Sequence, residues 1–328
     1  MSVVSQTSPG RLRQAFNSRK RGQNIFVAGV ITPLMLYMLF WTLLPMAFAI
    51  LLALFEYSAT RKGGPFMGFG QDNPFIGLGH FQNMLSSTLE AQKFRLSLKN
   101  TLIFAFLVLP LNLAITIPLA VMIEAIHERL KTAFRFIYFL PTVTASVGVA
   151  LMWGFLYHPQ QGLFNIVLKA FGGSPKIWLG DPRESILGVP LAMLAVIFAY
   201  LWQDMGYNLV IFIAALQGIP RDFKEAAIVD GANIWQIFWR ITIPLLRPTL
   251  LFVCVLTMIS SFQVFDIIQI MTGGGPQDQT RVLVLDIYLN AFRFQRMGWA
   301  GAVSLVLFLI IFVVTVIQMR LLRTNWEY

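Results

Sequence analysis

Six long apolar runs separated by polar segments organise the chain, at about 24–55, 100–126, 134–157, 187–217, 249–271 and 298–320. A helix needs about 20 apolar residues to cross the hydrocarbon of a bilayer, and each run supplies that length. The first is longer than required and can tilt. Pro33, Pro45, Pro110, Pro118 and Pro141 fall inside the runs. Proline is tolerated in a span where neighbouring helices satisfy the carbonyls it frees, so these residues predict kinks rather than breaks. The pattern predicts an all-α, polytopic membrane protein with six transmembrane helices. A polar N-terminal tail over 1–23 and a short C-terminal tail over 323–328 flank the spanning part, residues 24–322.

The polar segment between the fourth and fifth runs, residues 218–248, differs from the other loops. Its core reads EAAIVDGANIWQIFWRITIPLLRP over 225–248. Pro220 suits a first helical turn, where its missing N–H costs nothing. Asp222 with Glu225 has the spacing of a capping box, and Asn233 with Gln236 repeats it. Gly231 suits the left-handed residue that ends a helix. Ile234, Ile237, Phe238 and Ile241 then follow at helical spacing as one apolar stripe. Pro244 ends this second helix, and Pro248 starts the next span. The prediction is a helical knuckle with one oily and one charged face. By itself such a segment also suits a helix lying on the lipid surface.

Composition and charge narrow the class. Hydrophobic residues make up 57% of the 328 residues and charged residues only 12%, half the share usual in a soluble domain. The net charge of +10 is scattered between apolar runs rather than gathered into a basic face, which excludes a nucleic-acid surface and fits loops near anionic lipid. Segments on the side of the tails carry 12 Lys and Arg in 69 residues, and the opposite loops 11 in 99. Cytoplasmic loops are the basic ones, so both termini and the 218–248 loop are placed in the cytoplasm. No cleavable signal pattern precedes the first run. The single cysteine, Cys254, lies in an apolar run and reads as a small buried hydrophobe.

Motifs for soluble chemistry are missing. There is no Gly-x-x-x-x-Gly-Lys-Ser/Thr phosphate loop and no Gly-x-Ser-x-Gly elbow. His80, His127 and His158 lie far apart and lack metal-ligand spacing. The glycine run 273–275 reads as a turn. No catalytic residue, metal site or resident cofactor is expected in this chain.

With these residues in hand, the knuckle resembles the cytoplasmic loop of permease subunits of binding-protein-dependent ABC importers. Glu225-Ala226-Ala227, Gly231 after three residues, Ile241 after nine more, and Pro244 reproduce that pattern, with Ile243 where leucine is commoner. Asp230-Gly231-Ala232, Leu216 to Pro220, Thr272 to Pro276, Trp202 with Gly206, and Gly298 with Ala300 and Ala302 are similar to the sugar-importer branch. The likeness runs over about 24–322 and is nearest the first permease of maltose- and glycerol-phosphate-type systems. It implies the type I ABC importer transmembrane fold in a prokaryotic plasma membrane, and a coupling role for Glu225, Ala226, Ala227, Asp230, Gly231, Ala232, Ile241 and Pro244. It also implies a second homologous permease, two ATP-binding subunits that hold ATP and magnesium, an extracytoplasmic solute-binding protein, and a sugar as cargo. Glu225 suits either an ion pair with the ATPase or a helix cap. Arg240 and Arg247 suit ATPase carboxylates or lipid phosphates. The alternative cargo is another solute such as glycerol phosphate or a polyamine.

Polar residues within spans are costly and mark pathways or internal pairs. Gln203 and Asp204 in the fourth run are candidates for the path, with Asn208 and Asn112 weaker ones. Phe262, Gln263, Asp266 and Gln269 in the fifth run share a mixed polar–aromatic face at helical spacing. Such a face suits sugar hydroxyls and ring C–H groups; it equally suits hydrogen bonding between helices. Gly206 suggests a bend in the fourth span facing a cavity.

Overall fold

A computed structural model describes residues 26–61, 69 and 72–322. The two tails expected at 1–23 and 323–328 lie outside the described residues. Residues up to Leu52 and residues from Ala53 onward form separate compact units. The first contains one long apolar helix, α1 (Phe26–Leu52), which passes through Pro33 and Pro45 and carries a π-helical turn at Leu39–Leu43.

In the second unit, a short helix α2 (Gly79–Met84) precedes the longest one, α3 (Leu89–Ala125). Thr88 caps α3 by accepting from the Ala91 N–H. This helix starts eleven residues before the apolar run that predicts it, because Leu89–Lys99 is helical yet too polar to register as a span. Pro110 and Pro118 lie within it without interrupting it. Next come α4 (Glu128–Val143), α5 (Ser146–Leu156), α6 (Leu163–Ala170) and a two-residue hairpin, β1 (Ser185–Ile186) with β2 (Val189–Pro190). The central helix α7 (Leu191–Gln217) leads into α8 (Arg221–Val229) and α9 (Ile234–Ile237). Then follow α10 (Arg247–Phe262), α11 (Asp266–Met271), α12 (Leu283–Tyr288) and α13 (Met297–Leu322).

Two of the six expected spans are broken. The third is two helices, α4 and α5, that meet at 98°, not one kinked helix over 134–157. Thr144 and Ala145 between them are extended, and the Thr144 hydroxyl donates to the Leu140 carbonyl left over at the end of α4. Pro141 sits one turn before the break and removes a backbone donor there. The fifth span keeps its course over Arg247–Met271, but its helix is interrupted at Gln263–Phe265, between α10 and α11.

The packed centre of residues 53–322 is α7, flanked by α3, α4 and α10. Its buried face is rich in small residues, Ala192, Ala195 and Ala199 among them. Lipid tails are as apolar as leucine, so helices associate in a bilayer by close van der Waals contact and hydrogen bonds, which small residues permit. Gly206 shows how close that contact is. A Cβ there would lie 2.6 Å from the Thr142 hydroxyl and against the Tyr138 carbonyl. Gly206 is therefore a point of close helix packing in an unbroken α7, not a bend facing a cavity.

Candidate functional site

The knuckle at 218–248 forms, with changes to its predicted details. Pro220 is the extended N-cap of α8 rather than part of its first turn, and no side chain caps that end. Asp222 then lies too far along the first turn to act as a cap, so the box expected with Glu225 is absent. The C-terminus of α8 is a Schellman motif: Gly231 N–H donates to the Ile228 carbonyl at 3.0 Å and Ala232 N–H to the Ala227 carbonyl at 2.9 Å. Gly231 has φ +80°, the left-handed conformation that glycine adopts without a Cβ penalty. The second capping box is present: Asn233 accepts from Gln236 N–H, and Gln236 accepts from Asn233 N–H, both at 2.8 Å.

Pro244 does not end the second helix. A π-helical turn at Phe238–Thr242 absorbs an extra residue, and helical backbone continues through Ile243–Leu245 to α10 with only a turn at Leu246. The π turn also divides the expected stripe. Ile237, Phe238 and Ile241 are half-buried, while Ile234 is 83% exposed. Phe223, Ile228, Val229 and Trp235 are exposed with it. Of the residues matched to the loop pattern, Ala227 is buried, Ala232, Ile241 and Pro244 are half-buried, and Glu225, Ala226, Asp230 and Gly231 are exposed.

Inside the bundle, three helices meet at a polar cluster. Asn112 Nδ2 of α3 donates to Asp204 Oδ2 of α7 at 3.0 Å. Asn208 Nδ2 donates to Asn112 Oδ1 and to Thr257 Oγ1 of α10, both at 2.9 Å. Thr116 donates to the Asn112 carbonyl at 2.7 Å. For Asn208, buried with these partners, hydrogen bonding between helices is what the geometry displays; Asp204 is half-buried and shares the same network. Such bonds contribute on average about 0.6 kcal/mol each in a membrane protein.

Gln203 faces elsewhere, to the break in the third span. Its Nε2 donates to the Thr144 carbonyl at 3.1 Å, and its own carbonyl accepts from the Thr142 hydroxyl at 2.8 Å. It supplies a donor that the missing helical turn would have provided.

The fifth-run candidates do not share one face, because α10 stops at Phe262. Phe262 is fully buried in the core, Gln263 and Asp266 are exposed at the break, and Gln269 is half-buried with an Oε1 that has no hydrogen-bond partner. The face predicted from helical spacing assumed a continuous helix. Non-helical backbone at membrane depth is tolerated where it lines a water-filled cavity or is enclosed by protein. Gln263 and Asp266 are the exposed polar side chains at this interruption of the fifth span.

Thr257 and Glu124 escape detection in the sequence. Thr257 reads as one more residue of an apolar run. Glu124 sits at the end of one, where a charge needs no explanation. Thr257 acquires meaning only from Asn208, 49 residues away, and Glu124 from Lys131 and Arg135 of the next helix together with Gln217, 93 residues away.

The family described as the binding-protein-dependent transport system inner membrane component matches residues 116–326. The chain is 33% identical over 261 residues to the sn-glycerol-3-phosphate transport system permease protein UgpA of Agrobacterium fabrum, covering 79% of this chain and 85% of the relative. It is 32% identical over 257 residues to the trehalose/maltose transport system permease protein MalF of Thermococcus litoralis, covering 78% and 82%. A chain of a bacterial ABC transporter involved in import of the acidic polysaccharide alginate superposes with TM-score 0.76 at 23% identity, covering 96% of this chain and all of that one. That transporter has also been crystallised with an alginate pentasaccharide-bound periplasmic protein. The fold is thus that of a type I importer permease, several of its helices are long and apolar enough to cross a membrane, and the chain belongs to the family of binding-protein-dependent transport system inner membrane components.

Proposed function

We propose that this chain is the membrane-spanning permease subunit of an ATP-driven carbohydrate importer, forming half of the translocation path and taking force from a separate ATPase through the loop at 218–248. The observation that carries this reading is the knuckle. Its two helices are fixed by a Schellman motif and a capping box, yet they leave Phe223, Ile228, Val229, Ile234 and Trp235 exposed. A stiff element with a protruding apolar tip suits insertion into a groove of a partner protein. Stiffness is what a lever requires, because a floppy contact would dissipate the motion of the ATPase.

In this scheme both termini and the knuckle are cytoplasmic in a prokaryotic inner membrane. A second homologous permease completes the path, and two ATP-binding subunits bind ATP and magnesium. A solute-binding protein delivers the sugar from outside. This chain's part is mechanical. Glu225 and Asp230 present carboxylates beside the tip, Ala226 allows close approach, and α7 and α10 carry the displacement to the breaks at Thr144–Ala145 and Gln263–Phe265. Gln263, Asp266 and the half-buried Asp204 are the groups offered to sugar hydroxyls.

A relative that carries glycerol 3-phosphate supports a second reading, an anionic solute. Against it, α7 contains no Lys or Arg, and α10 has only Arg247 at its start; a phosphate would lack a cationic partner there.

The test has two arms. Trp235→Ser with Ile234→Ser, or Gly231→Pro, is expected to abolish co-purification of the ATPase subunits while the chain still inserts. Retention of full ATPase association and transport in these variants overturns the coupling role. Binding of a sugar panel and of glycerol 3-phosphate to the cognate binding protein then decides the cargo.

A further inference from the structure

At the end of α3 nearest the knuckle, one carboxylate gathers donors from two other helices. Glu124 Oε1 accepts from Lys131 Nζ of α4 at 3.0 Å. Its Oε2 accepts from Arg135 Nη2 of α4 at 3.2 Å and from Gln217 Nε2, the last residue of α7, at 3.4 Å. Lys131 is only 7% exposed, an uncommon degree of burial for a lysine, and it donates also to Glu128 at 2.7 Å. Gly218, Ile219 and Pro220 alone separate Gln217 from α8. Glu124, Glu128, Lys131 and Gln217 line one side of a cavity of about 540 Å³ whose other wall is Arg221, Lys224 and Glu225 of the knuckle.

The far end of α4 is also tied to α7. Thr142 and Gln203 are hydrogen-bonded, and Gly206 leaves no space for a side chain against Tyr138. Two attachments about three turns apart keep two helices from sliding or rotating against each other. Loss of Glu124 would leave the buried Lys131 with only the exposed Glu128 as a carboxylate partner.

We propose that Glu124 is a positioning residue for energy coupling: it clamps the ends of α3 and α4 to the root of the knuckle, so that α4 and α7 move as one lever with the coupling loop. The inference rests on the coupling role proposed above. Without the clamp, α8 and α9 still dock on the ATPase, but their displacement is lost as local motion at Gln217–Pro220 instead of reaching the breaks.

The experiment uses the whole transporter in proteoliposomes, with partner permease, ATPase subunits and binding protein. Glu124→Gln keeps the shape and removes the charge. The expected result is unchanged ATPase association, with transport reduced at least about fivefold and more ATP hydrolysed per solute moved, a loss within the usual range of coupling between sites. Glu124→Asp restores part of the coupling. In a second arm, Glu124→Cys and Gln217→Cys in a Cys254→Ser background are bridged by a short bifunctional thiol reagent. If the ends move as one body, the bridged protein still transports. Abolition of transport by the bridge, or a Glu124→Gln variant that binds the ATPase and keeps the wild-type ratio of ATP to solute, overturns the clamp. Absence of ATPase from the wild-type complex would instead overturn the coupling role itself. Should Glu124→Gln fail to assemble, the bridged variant decides alone.

Discussion

A single added methyl group distinguishes two kinds of glycine in this chain. At Gly206 it would collide with the Tyr138 carbonyl and the Thr142 hydroxyl of α4, so Gly206→Ala must push two packed helices apart. Overpacking of this sort costs typically about 1–3 kcal/mol. Detergent-solubilised Gly206→Ala transporter is expected to melt at lower temperature and to transport poorly. At Gly231 there is open space around the missing Cβ but φ is +80°. Gly231→Ala therefore pays only backbone strain, about 1 kcal/mol. It should retain its ATPase partner, in contrast to Gly231→Pro. Equal loss of ATPase binding in the alanine and proline variants would contradict that distinction.

At the level of elements, the loop after the fifth span is held by a buried ion pair. Arg281 donates to Asp286 Oδ1 through Nε at 3.0 Å and Nη2 at 2.6 Å, and both residues are almost fully buried. Burial pushes the Asp286 carboxyl above the usual range, and Arg281 pulls the other way. Breaking a fully buried pair costs about 3–5 kcal/mol; here Arg281 keeps Asp278 at 3.3 Å, so the cost falls below that range. Asp286→Ala is expected to loosen the 278–290 loop, which hydrogen-deuterium exchange would register as faster exchange at Leu283–Tyr288. Replacing both members with apolar residues of similar size should restore protection. The broken third span makes a related point. Gln203→Leu removes the donor to Thr144 without changing volume much, and is expected to lower transport more than it lowers assembly, as judged by co-purification.

For the molecule as a whole, His80 is one group through which pH acts on stability. This ring lies under Trp299, with Nε2 3.0 Å from the Phe55 carbonyl, and burial lowers its pKa below 6.5. The folded state thus resists a proton that the unfolded state accepts. The penalty is absent above the unfolded value of about 6.5 and grows as pH falls below it. The melting temperature of the purified transporter is expected to drop between neutral pH and about pH 5, and a His80→Gln variant should flatten that dependence. An unchanged slope in the variant would remove His80 from the account.

Apolar length and period were enough to read out the helical class, the positions of the runs, and the knuckle with its Gly231 stop and Asn233–Gln236 cap, because each depends on neighbours within a few residues. The breaks at Thr144–Ala145 and Gln263–Phe265, the burial of Phe262, the close contact at Gly206 and the Glu124 clamp were decided only by tertiary structure. Hydropathy counts apolar residues and is indifferent to an interruption of the helix among them. Whether a polar side chain faces a path or a partner depends on which helix lies opposite. Asn112, Asp204, Asn208 and Thr257 lie on three helices and up to 145 residues apart, a separation over which local spacing carries no information.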